Sequence, residues 1–432
     1  MKISVNHIGK MEGHTDFVAE IMKGDVKSAK MMTTEGARLI EGILVGRNFY
    51  EAPIITSRIC GICPVVHKVS SIKAIENAFE IKPSEQTVRL RKLMMCGQMI
   101  HSHALHLFFL SLPDFFDITN DLTFIGEHKK ETKAAIAVRE WALKVIEVVG
   151  GRAVHPIACE VGGFKVLPQR SELLSLIEQY PEALKNAFVL VNMVLQIKLP
   201  KFSRSTTFIS LTDDHVYAYY GGDIKIHTPD GKERVIEAKK FTKNIQEIEE
   251  PYRAAKSAKL DGKSFMVGAL ARINLNHSKL HPLAKGIYKK LGWKIPEYNT
   301  FKNIVAQAVE VVHFLEEAKK LLDELSLEMH EEKSLIKKLE LIAEANPLGH
   351  GSFGCDAVEA PRGTLYHSYK IDKNGMLTDC QIITPTVAYL KNMESDLMQY
   401  LPNIKSLPEK ERTMKIRALI RAYDPCIACA TH

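Results

Sequence analysis

Arg58-Ile59-Cys60-Gly61-Ile62-Cys63-Pro64-Val65-Val66-His67, near the start of the chain, must be read together with Asp424-Pro425-Cys426-Ile427-Ala428-Cys429-Ala430-Thr431-His432 at the other end. Each stretch carries a Cys-x-x-Cys pair, and thiolate is the soft ligand that selects zinc, iron–sulfur clusters, Cu(I) or nickel in a sulfur-rich site. Zinc ribbons usually set their two pairs roughly 15–20 residues apart, because a small local module closes around the ion. Here nearly the whole chain lies between them. A site that uses both pairs has to be assembled by the entire fold, so the sequence is expected to form one folding unit over 1–432. On spacing alone, a zinc staple and a catalytic thiolate centre are equally compatible.

Working outward, residues 1–58 alternate apolar and polar positions, as in Asp16-Phe17-Val18-Ala19-Glu20-Ile21-Met22, with Gly24-Asp25 as a turn. That period of two predicts a small antiparallel sheet. Over 59–200 the period changes to three and four, which predicts helices at Val66–Ala78, Gln86–Leu112, Lys130–Val149 and Ser171–Leu199. A β insertion is expected over 201–245, with strands at His215–Tyr220, Asp223–His227 and Glu233–Ala238. Residues 246–345 read as helical, with Phe301–Leu325 amphipathic and Lys333–Ala345 extending the layer. From 346 to 432 loops and strands are expected, with one last helical segment before Asp424. The expected class is α+β and mainly helical: a central helix bundle with small antiparallel β subdomains.

Composition narrows the function classes. The 432 residues are 46% hydrophobic and 25% charged with a net charge of +7, ordinary for a globular chain. The lysines are scattered, which argues against nucleic-acid binding. No apolar run is long enough to span hydrocarbon, and the N-terminus lacks a signal-peptide core, so a cytoplasmic location is expected. Of the eight cysteines, Cys96, Cys159, Cys355 and Cys380 are isolated and read as buried small hydrophobes. Gly349-His350-Gly351-Ser352-Phe353-Gly354 fits a dinucleotide fingerprint, but no strand–turn–helix context surrounds it. Nicotinamide binding on this chain is therefore rejected.

The neighbours of the cysteines resolve the ambiguity that spacing leaves. The two quoted stretches resemble the metal-binding signatures of the large subunit of nickel–iron hydrogenases. Further likenesses follow in the family's order: Lys10-Met11-Glu12-Gly13-His14; His101-Ser102-His103-Ala104-Leu105-His106 with Leu112-Pro113-Asp114; Glu359-Ala360-Pro361-Arg362-Gly363; and Thr384-Pro385-Thr386. Ile420-Arg421-Ala422-Tyr423-Asp424-Pro425-Cys426 and Leu365-Tyr366-His367 look most like the cytoplasmic, multi-subunit branch.

The resemblance implies an enzyme that reversibly cleaves H₂. Nickel would be held by Cys60, Cys63, Cys426 and Cys429, with Cys63 and Cys429 bridging to an iron that carries CO and two CN ligands. Pro385, Thr386 and Arg362 would contact those ligands. Glu41, the Ile382 carbonyl and His432 would hold a separate Mg²⁺ or Fe²⁺ ion. Cys429 and Glu12 would relay the proton, since a carboxyl can be tuned by burial. Arg362 would act above the metals, fixed by Asp114 and Asp424 through charge-assisted hydrogen bonds, and His67 would donate to the Cys63 sulfur. His101 and His103 cannot share a helix face, so these histidines and His106 are expected to pack around the site. An iron–sulfur small subunit, further electron-transfer subunits and a maturation endopeptidase are implied as partners, with NAD(P), a deazaflavin or a ferredoxin/heterodisulfide-reductase system as acceptor. The competing readings are a zinc-stapled structural protein and a quinone-site or scaffold subunit of a respiratory complex; relatives of the latter kind lack the cysteine pairs.

Overall fold

The computed structural model describes residues 2–33, 35–116, 118, 120–328 and 350–432. Strands β1 (Lys2–Ile8), β2 (Thr15–Met22) and β3 (Asp25–Thr33) form an antiparallel sheet in that order. Phe17, Ala19 and Ile21 point into the core while their neighbours face outward, as the alternation predicts. Two short helices follow, α1 (Ile40–Leu44) and α2 (Ala52–Thr56).

The bundle begins with α3 (Pro64–Ala78), started by Pro64 at its first position and buried on almost every face. Helix α4 (Glu85–Leu105) is capped by the Ser84 hydroxyl, which accepts the Thr87 N–H at 3.1 Å. It loosens into a π-helical stretch at His106–Ser111 and a 3₁₀ turn at Leu112–Phe115. Then come α5 (Asp121–Glu127) and α6 (Lys129–Gly150), the ribbon β4 (Cys159–Glu160) and β5 (Gly163–Phe164), and α7 (Arg170–Gln196). A buried fork ties α3 to α4: Arg91 donates to both Glu76 oxygens, at 2.6 and 2.8 Å, and Glu76 also accepts the Gly162 N–H at 2.7 Å. Such a pair is costly to break from one side, so it holds register between the two helices.

The middle of the chain departs from expectation. Strand β6 is Thr207–Thr212, followed by β7 (Asp223–His227) and β8 (Glu233–Ile236). His215–Tyr220, expected as a strand, is a loop. Its alternating tyrosines are buried by side-chain bonds instead: Tyr217 donates to Glu310 at 2.6 Å and Tyr219 to Glu317 at 3.1 Å. The β region also runs past 245, through β9 (Ile245–Ile248), β10 (Ser257–Leu260) and β11 (Phe265–Met266). Strand β11 pairs parallel with β6 and completes a four-stranded sheet. Helices return with α8 (Ala269–Asn276), α9 (Pro282–Lys290) and α10 (Asn303–Glu328). The expected helix at Lys333–Ala345 lies outside the described residues, as does Gly349.

After the described chain resumes, β12 (Ser352–Ala360), β13 (Gly363–Ile371) and β14 (Leu377–Ile383) form a meander. Two helices follow rather than one, α11 (Pro385–Ile404) and α12 (Glu409–Ala422), separated by a break that ends at Pro408, and then the single turn α13 (Ile427–Ala430). Helices α4, α6, α7 and α10 pack together as the bundle, with α3 between it and the β12–β13 hairpin. Buried apolar residues form one cluster that runs from Ile3 to Ala430.

Two expected outcomes follow from this packing. A Cβ on Gly354 would lie 2.1 Å from the Ala74 carbonyl oxygen and 2.5 Å from the Ala78 nitrogen, so β12 reaches α3 only because that residue is glycine. Gly354→Ala is expected to cost about 1–3 kcal/mol, read as a lowered unfolding midpoint; an unchanged midpoint would refute the close approach. The second outcome concerns Glu317, which takes His281 Nε2 at 2.8 Å. Burial pushes its carboxyl up, but the His281 hydrogen bond and charge reverse this and bring it down to about 2. A depressed carboxyl stabilises above its unfolded value and loses that contribution as pH falls through the folded one. Relative to Glu317→Gln, the wild type is expected to be more stable at neutral pH, and the gap to close on acidification from about pH 4.5. Acid titrations of both proteins, followed by circular dichroism, measure that gap.

Candidate metal centre

The two cysteine pairs meet although they are far apart in sequence. Cys60 Sγ lies 3.6 Å from Cys426 Sγ, Cys63 Sγ lies 3.4 Å from Cys429 Sγ, and Cys426 and Cys429 are 2.9 Å apart. All four are buried and free of disulfides. Cys63 and Cys426 each sit immediately before a helix, α3 and α13, so each Cys-x-x-Cys folds around a helix start. The Ile62 and Cys429 amides, both at 3.3 Å, donate to the Cys60 and Cys426 sulfurs. Hydrogen bonds from Cys426 and the other thiols pull Cys60 well below the ordinary thiol range. Burial pushes Cys426 and Cys429 well above it. Cationic ligands are what would let all four ionise.

Backbone ties hold the two loops together. The Ile427 N–H donates to the Glu12 carbonyl at 2.7 Å, and Glu12 and Cys426 form an isolated parallel bridge. Arg38 Nη2 donates to the Ile59 carbonyl at 2.7 Å and also to the Ala428 carbonyl. One guanidinium thus joins the residues immediately before Cys60 and before Cys429. The Thr386 hydroxyl accepts the Cys426 N–H at 3.1 Å. Thr384-Pro385-Thr386 is not a loop: Thr384 precedes α11 and Pro385 begins it.

Arg362 sits at the tip of a two-residue hairpin, since Ala360 pairs with Gly363. Its Nη2 lies 3.0 Å from Asp424 Oδ1, and its Nε donates to the Asp424 carbonyl at 2.7 Å. Burial opposes the charge, but Asp424 and the Cys426, Cys63 and Cys60 thiols outweigh it and raise the guanidinium further. Asp424 is held in the left-handed region at φ 55°. Together with Pro425 it ends α12 and aims the carboxylate back at Arg362. Gln307 Nε2 donates to Asp424 at 3.2 Å and its Oε1 bonds His106 Nδ1 at 2.6 Å.

Several sequence expectations are corrected. Asp114 does not fix Arg362; it pairs with Arg421, which also donates through Nε to the Gly9 carbonyl at 2.9 Å. The basic residue that reaches Asp114 comes from α12, whereas Arg362 is already committed to Asp424. His67 faces a different sulfur from the one expected, with Nε2 3.7 Å from Cys429 Sγ. Burial lowers its imidazole to about 3, so it is neutral near pH 7. Burial raises the Glu12 carboxyl, and Cys60 raises it further. His101, His103 and His106 are buried; His103 bonds Glu310 at 2.9 Å and His106 the Arg421 carbonyl at 2.7 Å.

Near the chain end, His432 Nε2 lies 2.8 Å from the Ile382 carbonyl and 3.9 Å from Glu41 Oε1. Glu41 also accepts the Ile382 N–H at 2.7 Å and pairs with Lys256 at 3.0 Å. Carboxylate, carbonyl and imidazole are thus gathered in one place, a donor set that fits a hard or borderline divalent cation. The sulfur pocket fits soft metals on its own terms, with four buried thiols at contact distance; buried Arg362 Nη1, Thr384 Oγ1 and His67 Nδ1 have no hydrogen-bond partner among the described residues. Sequence reasoning missed Arg38, Arg421 and Gln307. Each works through a backbone carbonyl or a side-chain amide, contacts that leave no motif.

The sequence profile described as "Nickel-dependent hydrogenase" matches residues 38–143 and 178–432. The chain is 33% identical over 443 residues to sulfhydrogenase 1 subunit alpha of Pyrococcus furiosus, covering 100% of this chain and 98% of that one. It is 30% identical over 444 residues to sulfhydrogenase 2 subunit alpha of the same organism, covering 100% and 99%. Its fold matches a chain of an NAD+-reducing [NiFe]-hydrogenase crystallised in the H₂-reduced state, with a TM-score of 0.89, 24% identity, and coverage of 100% and 99%. A helix bundle that closes around four thiols, and these likenesses along its whole length, place the chain in the nickel-dependent hydrogenase family of oxidoreductases acting on H₂.

Proposed function

We propose that Cys60, Cys63, Cys426 and Cys429 hold nickel, with Cys63 and Cys429 shared with an iron that carries CO and two CN ligands. The observation that carries this reading is the pairing of the sulfurs, 60 with 426 at 3.6 Å and 63 with 429 at 3.4 Å, inside a dry pocket. When bound, the metals supply the polarisation that splits H₂ heterolytically and the redox capacity that takes up two electrons. Arg362 turns a permanent, fixed charge toward that chemistry, with Nη1 left free by its grip on Asp424. Pro385, Thr386 and Arg362 would contact the diatomic ligands. The neutral His67 imidazole supports the Cys429 sulfur from behind.

The proton leaves through Cys429 to Glu12, whose raised carboxyl is suited to accept it and pass it on. The electrons leave to an iron–sulfur small subunit. Leu39, Val45, Tyr50 and Ile54 are exposed apolar side chains of the kind a partner subunit would cover. Further subunits would hand the electrons to NAD(P), a deazaflavin or a ferredoxin/heterodisulfide-reductase system. Glu41, the Ile382 carbonyl and His432 would hold Mg²⁺ or Fe²⁺, and a maturation endopeptidase is a further partner. Among the described residues no helix is long and apolar enough to cross a membrane, which is compatible with a cytoplasmic complex.

Metal analysis with infrared spectroscopy tests the centre: nickel with iron and bands from bound CO and CN are expected, and zinc alone would sink the reading. Cys426→Ser is expected to drop nickel to background in the purified complex, whereas a fully metallated variant would remove it from the ligand set. Glu12→Gln is expected to keep both metals yet slow H₂/D₂O exchange by about 10²–10⁴-fold. Wild-type exchange in that variant would take Glu12 out of the proton path.

A further inference from the structure

Arg272, on α8, lies far from the cysteines in sequence and is fully buried. All of its donors are used. Nε and Nη2 form a fork on Glu310 of α10, at 2.6 and 2.7 Å. Nη1 donates to Glu359 at 2.9 Å, and the remaining two bonds go to the carbonyls of Ala360 at 2.9 Å and Pro361 at 3.0 Å. Those two carbonyls belong to the residues immediately before Arg362. The far side of the same tip is closed by contact: a Cβ on Gly363 would lie 2.3 Å from Val267 Cγ2, and one on Gly268 would lie 3.1 Å from the Arg362 carbonyl oxygen.

The other half of the Arg362 grip is referenced to the same helices. Asn303, at the start of α10, accepts the Leu270 N–H of α8 at 2.9 Å and donates to the Ala422 carbonyl at 2.8 Å, two residues before Asp424. Glu310 is in turn fixed by Tyr217 at 2.6 Å and His103 at 2.9 Å. Both the backbone that carries Arg362 and the carboxylate that orients it are thus measured from the α8–α10 contact.

We propose that Arg272 is a positioning residue for the reaction, setting the height of the Arg362 guanidinium over the thiol cluster through the Ala360 and Pro361 carbonyls. This rests on the role given to Arg362 above. Lysine cannot substitute, because a compact ammonium with three donors cannot serve five acceptors in a planar fork. A displacement of about 1 Å at a reacting group can cost on the order of 10²-fold in rate.

The test is a double-mutant cycle on the metal-loaded complex, with Arg272→Lys, Arg362→Lys and the pair, read by H₂/D₂O exchange and nickel content. Amide hydrogen exchange over 359–365 is followed in parallel. Arg272→Lys is expected to retain nickel, lose about 10²-fold in exchange rate, and add nothing further in the Arg362→Lys background, because residues acting through one group are not additive. Losses that simply multiply would overturn the proposal. If Arg362→Lys alone keeps wild-type exchange, the catalytic role of Arg362 fails. The amide exchange of the tip then decides positioning, with faster exchange in Arg272→Lys sustaining it and unchanged exchange refuting it. Should Arg272→Lys not accumulate as folded protein, Tyr217→Phe, which removes one bond to Glu310, carries the same cycle with a several-fold effect expected.

Discussion

Four sulfur atoms from two loops that are 366 residues apart must occupy one dry pocket, and the rest of the molecule is arranged so that they do. Thiols packed this closely cannot all ionise without a cation, because burial and mutual repulsion both favour the protonated form. The pocket therefore has to be held by bonds that do not involve the sulfurs. The Glu12–Ile427 backbone bond, the Arg38 bridge between the carbonyls of residues 59 and 428, and the Thr386 hydroxyl on the Cys426 amide do that work. Each joins chain segments that no local interaction would bring together.

A second constraint is electrostatic. Arg362 is nearly inaccessible and carries a charge that burial opposes, so it persists only because Asp424 and the thiols surround it. The backbone accepts a left-handed aspartate at position 424 to deliver that carboxylate. The bundle contributes through polar contacts as well as apolar ones. Glu310, Gln307 and Asn303 all lie on α10, and each supports one part of the Arg362–Asp424 unit. A helix that reads from its periodicity as simple core is also the gauge for the site.

The ligand candidates were legible because Cys-x-x-Cys pairs with flanking Arg, His and Asp make a local pattern, and the helices because their apolar period is long. What misled were segments whose burial is satisfied by side chains. His215–Tyr220 alternates like a strand, yet Tyr217 and Tyr219 bury their hydroxyls on α10 glutamates, and the backbone makes a single bond to β12, Glu359 N–H to the Tyr219 carbonyl at 2.8 Å, in place of a ladder. Strands β9 to β11 are too short to announce themselves. Asp114 belongs to Arg421 rather than Arg362 because α12 brings that guanidinium to it, a path no local motif encodes. Gly354 was recognised as belonging to a false motif, but its reason, backbone contact with α3, is invisible until the strand is laid on the helix.

The separation of the two cysteine pairs also has a meaning in time. A chain synthesised at about 5–20 residues per second needs about 20–70 s to cover the 366 positions between Cys60 and Cys426. For that interval the first pair exists on the ribosome without its counterpart. Helices α4, α6, α7 and α10 can pack during this delay, because their contacts with one another use nothing after Glu328. Until the second pair is made, the pocket stands open on the side that α13 closes.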